Sequence, residues 1–199
     1  MKKKIIPNSI LIWTFCVALT ALTSRQVEAK IAFAASRDTD YAKAQQQNSL
    51  WCWAACIQLC LNRKDIKIDQ PEIVAKVKGY VKSETASEAE IVKFLNQWGI
   101  DRSGEPWIAR CVYAQGAPNP ANLVAHVASG EPVIISYKTG PMMGHVVVIS
   151  QVHYKETESG PLIQGIVVFD PWSGQLQTVM GNAVATATTG NWFVTVRKK

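Results

Sequence analysis

The pattern of apolar residues changes character at Gly130, and that change constrains the fold more than any other feature of this 199-residue chain. Before it, apolar residues recur at helical spacing between capping and stop residues. After it come β-branched runs bounded by turn residues. The spacing predicts an apolar helix over residues 50–61, a second over 71–77 introduced by Asp69-Gln70-Pro71-Glu72, and a third over 90–98. The third follows the capping-box spacing Thr85-Ala86-Ser87-Glu88, puts Ile91, Phe94, Leu95 and Trp98 on one face and stops at Gly99. A fourth starts at Asn119-Pro120 and ends at Gly130. Strands are expected over residues 132–137, 145–154, 163–170, 175–180 and 192–197. Helices first and strands afterwards argue for an α+β fold, with an N-terminal helical lobe packed on a C-terminal antiparallel sheet.

Residues 1–29 read as an export signal. Lys2, Lys3 and Lys4 precede an apolar run over residues 10–22, and Val27-Glu28-Ala29 supplies the small residue at a cleavage site. The run falls short of the roughly 20 residues a bilayer span takes, so no stable membrane insertion is expected once the signal is removed. Phe15 before Cys16 argues against a lipoprotein site. Residues 30–44 are Ala-rich and polar without a strong period, which suggests an exposed lead-in to one domain over residues 45–199. Secretion or periplasmic export is the expected localisation.

Cleavage after Ala29 would remove four of the 21 basic residues and one of the 15 acidic ones. The remaining bases are spread along the chain, and no basic stripe with interleaved aromatics points to nucleic acid. An oxidising compartment would allow a disulfide among Cys52, Cys56, Cys60 and Cys111, and with one thiol kept for chemistry the expected bridge joins Cys111 to Cys60 or Cys56.

The tract over residues 45–56 carries the chemistry. It places Cys52 at the start of the first predicted helix, with Gln46 six residues upstream. A helix N-terminus has unpaired N–H groups and a partial positive charge, which favour thiolate over thiol. Those N–H groups and a glutamine amide can also hold the oxyanion formed when the thiolate attacks a carbonyl. The second half supplies a base. If residues 155–160 form a turn that sets Tyr154 opposite Pro161, the same register sets His145 opposite Asp170, within reach across the pair. Such a carboxylate would orient the imidazole and stabilise it once protonated.

A metal centre is the obvious rival, because Cys52, Cys56 and Cys60 recur every four residues. Positions eight apart on a helix are about 12 Å from one another, so all three cannot share one ion, and neither a metal nor a cofactor is expected. His126 reads as a surface or boundary residue, and His153 lies too far along its strand to serve as the base. Trp51, Trp98, Trp107 and Trp192 are expected in the core or between lobes.

These residues carry a resemblance. Gln46, Cys52-Trp53-Ala54, the step Gly144-His145 into a Val-rich strand, and Asp170-Pro171-Trp172 resemble the motifs of papain-like cysteine peptidases. The resemblance is to the short bacterial branch that includes secreted papain-like effectors and bacteriocin-leader-processing domains. It implies Cys52 as nucleophile, His145 as general base and acid, Asp170 as orienting group, and Gln46 with the Cys52 N–H as oxyanion donors. Trp53 and Gly144 would contact substrate, and Trp172 occupies the place of the tryptophan that shields the histidine contact in papain-like enzymes. A protein or peptide is the implied substrate. A muropeptide amidase, an acyl transferase with the same residues, or a binding module that has lost turnover are the alternatives.

Overall fold

In the computed structural model, residues 28–33, 44–140 and 144–199 are described. The export signal read over residues 1–29 therefore lies outside the described residues except for its last two. Five helices are described: α1 (Cys52–Asn62), α2 (Gln70–Lys78), α3 (Glu88–Phe94), α4 (Pro120–Ala128) and α5 (Gly181–Ala187). Eight strands accompany them: β1 (Ala29–Phe33), β2 (Trp98–Ile100), β3 (Pro106–Gln115), β4 (Val133–Lys138), β5 (Gly144–Thr157), β6 (Gly160–Asp170), β7 (Gln175–Met180) and β8 (Thr188–Lys198).

The strands form one antiparallel sheet in the order β2-β3-β8-β4-β5-β6-β7, and β1 pairs with the far half of β5, beyond the stretch that β4 occupies. The fold is α+β, as the patterning predicts. Adjacent residues of a strand point to opposite faces, and both faces of this sheet are covered. Ile134, Val146, Val148, Phe169 and Trp192 pack beneath α1, α2 and α3. Val133, Ile135, Val147, Ile149, Ile166 and Val168 pack with Leu123 and Val127 of α4 and Val184 of α5. Burial on both sides explains why β4 and β5 read as continuous apolar runs rather than alternating ones. The helices thus lie on both faces, with α1–α3 forming the layer that carries Cys52.

Several expectations need correction. The segment read as an exposed lead-in supplies β1, and Ala32 and Ala44 are buried. The third helix ends at Phe94. Trp98 starts edge strand β2 and is 69% exposed rather than core, and Gly99 lies in that strand, where a Cβ would sit 2.8 Å from the Trp107 ring. The capping box is two residues later than read, with Ser87 and Glu90 exchanging side-chain and backbone bonds. Asp69 is the cap residue of α2, but its side chain makes no cap bond and pairs instead with Arg102. Asn119 does cap α4. The four cysteines Cys52, Cys56, Cys60 and Cys111 are all free, so the expected bridge is not formed. Cys56, Cys60 and Cys111 instead fill core positions, where a thiol packs as a small apolar group.

The β5–β6 register also differs from the expected one. The strands run on to Thr157 and Gly160, so that Tyr154 faces Ile163, and bulges shift the ladder near Ser150 and Gln164. Val148 faces Phe169, which sets Asp170 level with Val147, two positions from His145. An offset of two keeps His145 and Asp170 on one face.

Candidate active site

The helix and the strand that carry the two reactive side chains run in the same direction. Cys56 Sγ donates to the Val146 carbonyl at 3.4 Å, and Arg63 Nη2 donates to Ser150 Oγ at 3.4 Å. Those contacts advance together along α1 and β5, at rises of about 1.5 Å and 3.3 Å per residue. Both N-terminal ends therefore emerge at the same edge of the sheet, with Cys52 as the first residue of α1 and His145 as the second of β5.

His145 and Asp170 meet there. His145 Nε2 and Asp170 Oδ1 are 2.7 Å apart, both side chains being largely buried. The Cys52 side chain hydrogen-bonds to the same imidazole, which leaves Nδ1 as the nitrogen that faces sulfur. Burial, the largest single influence on His145, works against its charged form. The bonds and charges of Cys52 and Asp170 together outweigh burial, and the imidazole is held above its ordinary range.

Asp170 is in turn fixed by three donors. His145 and the Trp172 backbone N–H (2.9 Å) share Oδ1, and Gln177 Nε2 donates to Oδ2 at 3.1 Å. Tyr137 stands directly opposite His145 in the β4–β5 ladder, its ring edge-on to the imidazole at 5.6 Å and 85°. Burial, followed by the nearby charges of Asp170, Cys56 and Cys52, pushes its hydroxyl up to about 12. Neither Gln177 nor Tyr137 was visible as a site residue in the sequence, although both lie in predicted strands; only the register brings them to Asp170 and His145.

The N-terminus of α1 has Trp51 as cap residue with no side-chain cap and no acidic residue in its first turn. Its first N–H groups therefore point outward without an intrahelical partner. Trp51 and Trp53 use their indole N–H groups to hold the Lys82 and Glu84 carbonyls, at 2.9 and 3.1 Å, so the loop before α3 is strapped over the start of α1. Gln46 is placed differently from the other three residues. Its Nε2 donates to the Asn48 carbonyl at 2.9 Å, and it is not among the described residues that line the cleft. Its backbone N–H bonds the Pro171 carbonyl at 2.9 Å, which ties the coil before Cys52 to the loop after Asp170. Buried Gln70 holds the same coil from below, through the Gln45 carbonyl (2.8 Å) and the Gln47 N–H (2.9 Å).

A cleft of about 1070 Å³ opens over these residues and contains Cys52, Trp53, Gly144, His145, Asp170 and Trp172 among its lining. Trp53 is buried beneath it, while Trp172 is 63% exposed at its edge. His126 and His153 lie elsewhere: His126 bonds the Val194 carbonyl at 3.0 Å, and His153 faces Ile31 and Gly165 in the sheet.

No curated protein matches the chain. Among solved structures, 12 chains match, including the structure of UfSP from C. elegans, at 14% identity and a TM-score of 0.46. That alignment covers 89% of this chain and 36% of the other, so the chain spans little more than a third of the neighbour's length. Residues 34–186 match the family described as papain-like cysteine protease AvrRpt2. That stretch takes in Gln46, Cys52, His145 and Asp170, and the chain belongs to this family of cysteine peptidases.

Proposed function

We propose that the protein is a secreted thiol peptidase in which Cys52, His145 and Asp170 form the triad, working through a thioester acyl-enzyme. The observation that carries the assignment is the unbroken chain of contacts from the Cys52 thiol through His145 to Asp170, at 2.7 Å in its second link.

In the reaction His145 takes the Cys52 proton, and Asp170 stabilises the resulting imidazolium. The thiolate adds to the substrate carbonyl carbon, forming a C–S bond and a tetrahedral oxyanion. The Cys52 backbone N–H is one donor to that oxygen. Gln46 is the proposed second donor: with one amide proton given to Asn48 it keeps another, which reaches the oxyanion once the side chain, outside the cleft lining here, turns toward Cys52. Collapse breaks the C–N bond as the imidazolium passes its proton to the leaving amine. Water then attacks the thioester while His145 removes one of its protons. The C–S bond breaks, the acid departs and the thiol is restored. Four side chains account for every proton and bond, without a cofactor. Trp53, Gly144 and Trp172 line the path of the bound peptide.

Export is part of the same proposal. Cleavage after Ala29 would leave residues 30–33 free to keep their pairing with β5. The test is to express the full chain with its leader, sequence the N-terminus of the exported protein, and assay peptide cleavage by the parent and Cys52→Ala. A mature chain starting at Lys30 and a folded, inactive Cys52→Ala support the proposal. Cleavage by Cys52→Ala at the parent's rate overturns the triad, and a chain retained in the cytoplasm overturns the export.

A further inference from the structure

Glu88 is a cleft residue that the triad does not use. It is the first residue of α3 and lines the cleft with Ala86 and Ile91 on the helical wall. Tyr113 and Trp192 form the facing wall, their rings 4.9 Å apart. The neighbouring charges are already paired, Lys78 with Glu90 and Lys82 with Glu84, whereas Glu88 has no ion-pair partner among the described residues. Its charge is felt across the cleft. Tyr113 is held above its ordinary range, first by burial and then by the Glu88 carboxylate. This end of the cleft therefore combines apolar walls with an unpaired carboxylate at the rim. A long aliphatic stem with a cationic tip matches both parts, since Lys and Arg lay their stems along apolar surface and keep the charge in water. A cation beside the Tyr113 face gains further attraction.

The sheet order gives the distance from the chemistry. Tyr113 is on β3 and His145 on β5, three steps apart in the order β3-β8-β4-β5. Steps of about 4.8 Å make that roughly 14 Å across the sheet, and the registers set Tyr113 level with Val148, three residues along β5 from His145, so the separation is about 17 Å, or about five residues of an extended peptide. Lys138 lines the cleft from β4, closer to the triad, so a basic side chain is favoured only at the Glu88 end.

We propose that Glu88 is a specificity-determining residue, selecting peptides with Lys or Arg about five residues from the cleaved bond. The inference rests on the peptidase reading above. An exposed ion pair makes a modest contribution, so the expected selectivity is about threefold to fivefold over Gln at that position, and it shrinks as salt screens the pair.

The test digests a proteome-derived peptide library with the parent, Glu88→Gln and Glu88→Lys, with Cys52→Ala as blank, and reads cleavage positions by mass spectrometry at low and high salt. The proposal expects enrichment of Lys and Arg at one such position in the parent, none in Glu88→Gln, and enrichment of Glu at that position in Glu88→Lys. The reversal is a gained preference that misfolding cannot produce. Cys52-dependent cleavage with no basic enrichment, or with the parent's preference kept in both variants, overturns the assignment of Glu88 alone. Absence of Cys52-dependent cleavage overturns the peptidase reading and this inference with it.

Discussion

Cys56 donates its S–H to the carbonyl of Val146, so the helix of the nucleophile is docked one turn below Cys52 on the residue that follows His145. Burial is the main reason that this thiol is held well above its ordinary range, with the charges of Cys52, Cys60 and Asp170 adding to it. It therefore remains protonated and remains a donor. Cys56→Ala is expected to cost about 1–2 kcal/mol of stability and to lower kcat severalfold while leaving KM near the parent value. Cys56→Ser, which keeps a donor, should recover part of kcat. Urea unfolding and steady-state kinetics check both, and an alanine variant equal to the parent in each would show that the contact positions nothing.

The alkaline limb of kcat/KM should lie above 6.5, the ordinary value for histidine. Burial of His145 works against its charge, but the contacts with Cys52 and Asp170 prevail and raise the group overall. The imidazolium needed to protonate the leaving amine consequently persists to higher pH than that of a free histidine. A raised group contributes stability that is complete below its unfolded value near 6.5 and is lost as pH rises through the folded value. Asp170→Asn should move the alkaline limb to lower pH. Profiles of the two proteins with the same limb would contradict the orienting role of Asp170.

Gln70 should prove more important than its distance from the cleft suggests. It is fully buried, and it holds Gln45, Gln47 and Gln58 together. Gln70→Leu removes the partners of the Gln47 N–H and the Gln45 carbonyl and leaves the Gln58 amide oxygen unpaired in the interior, at an expected cost of about 1–3 kcal/mol. The coil that carries Gln46 should loosen as well. Hydrogen exchange at residues 45–48 and urea unfolding would detect this, and protection equal to the parent would refute it.

Acid should weaken the α2–α3 junction through Glu90. The hydrogen bond from Lys78 is the main influence, with the Ser87 backbone second, and together they hold the carboxyl down at about 2 against an ordinary 4.5. A lowered group contributes stability that is present above 4.5 and disappears as pH falls towards 2. Lys78→Met should therefore lower the urea midpoint at pH 6 and lose less than the parent between pH 4.5 and 2.5. An identical pH dependence in the two proteins would count against it.

What the chain discloses before folding follows from which signals are local. α1 to α4 and the strands β4 to β8 lie close to their predicted positions, because apolar period and cap residues act over a few positions. β3 escaped notice because its buried face carries Trp107, Ala109 and Cys111 while Ile108 and Val112 point outward, so small inner residues hide the alternation. β1 and α5 are short and Ala-rich, with composition rather than period to mark them. Trp98 fits the helical spacing of Ile91, Phe94 and Leu95, but the chain leaves the helix at Leu95 and the next residues pair with β3. That Cys52, His145 and Asp170 would come together was expected from residue type and spacing, and they do meet. Their meeting depends on the tight turn that sets Thr157 opposite Gly160, since the two bulges, one in each strand, cancel, and it survives the misjudged register only because the error was an even number of residues.

The most direct test of the account is the rate of iodoacetamide alkylation from pH 5 to 9 in the parent and in His145→Ala, without reductant, with each cysteine followed by mass spectrometry. Cys60 and Cys111 are pushed up to about 12, chiefly by burial, and Cys56 is buried with its proton committed to Val146. The account predicts labelling confined to Cys52, fast in the parent at pH 6 and at least tenfold slower there in His145→Ala. Equal rates at pH 6 in the two proteins, or labelling spread over all four cysteines of the folded parent, would contradict it.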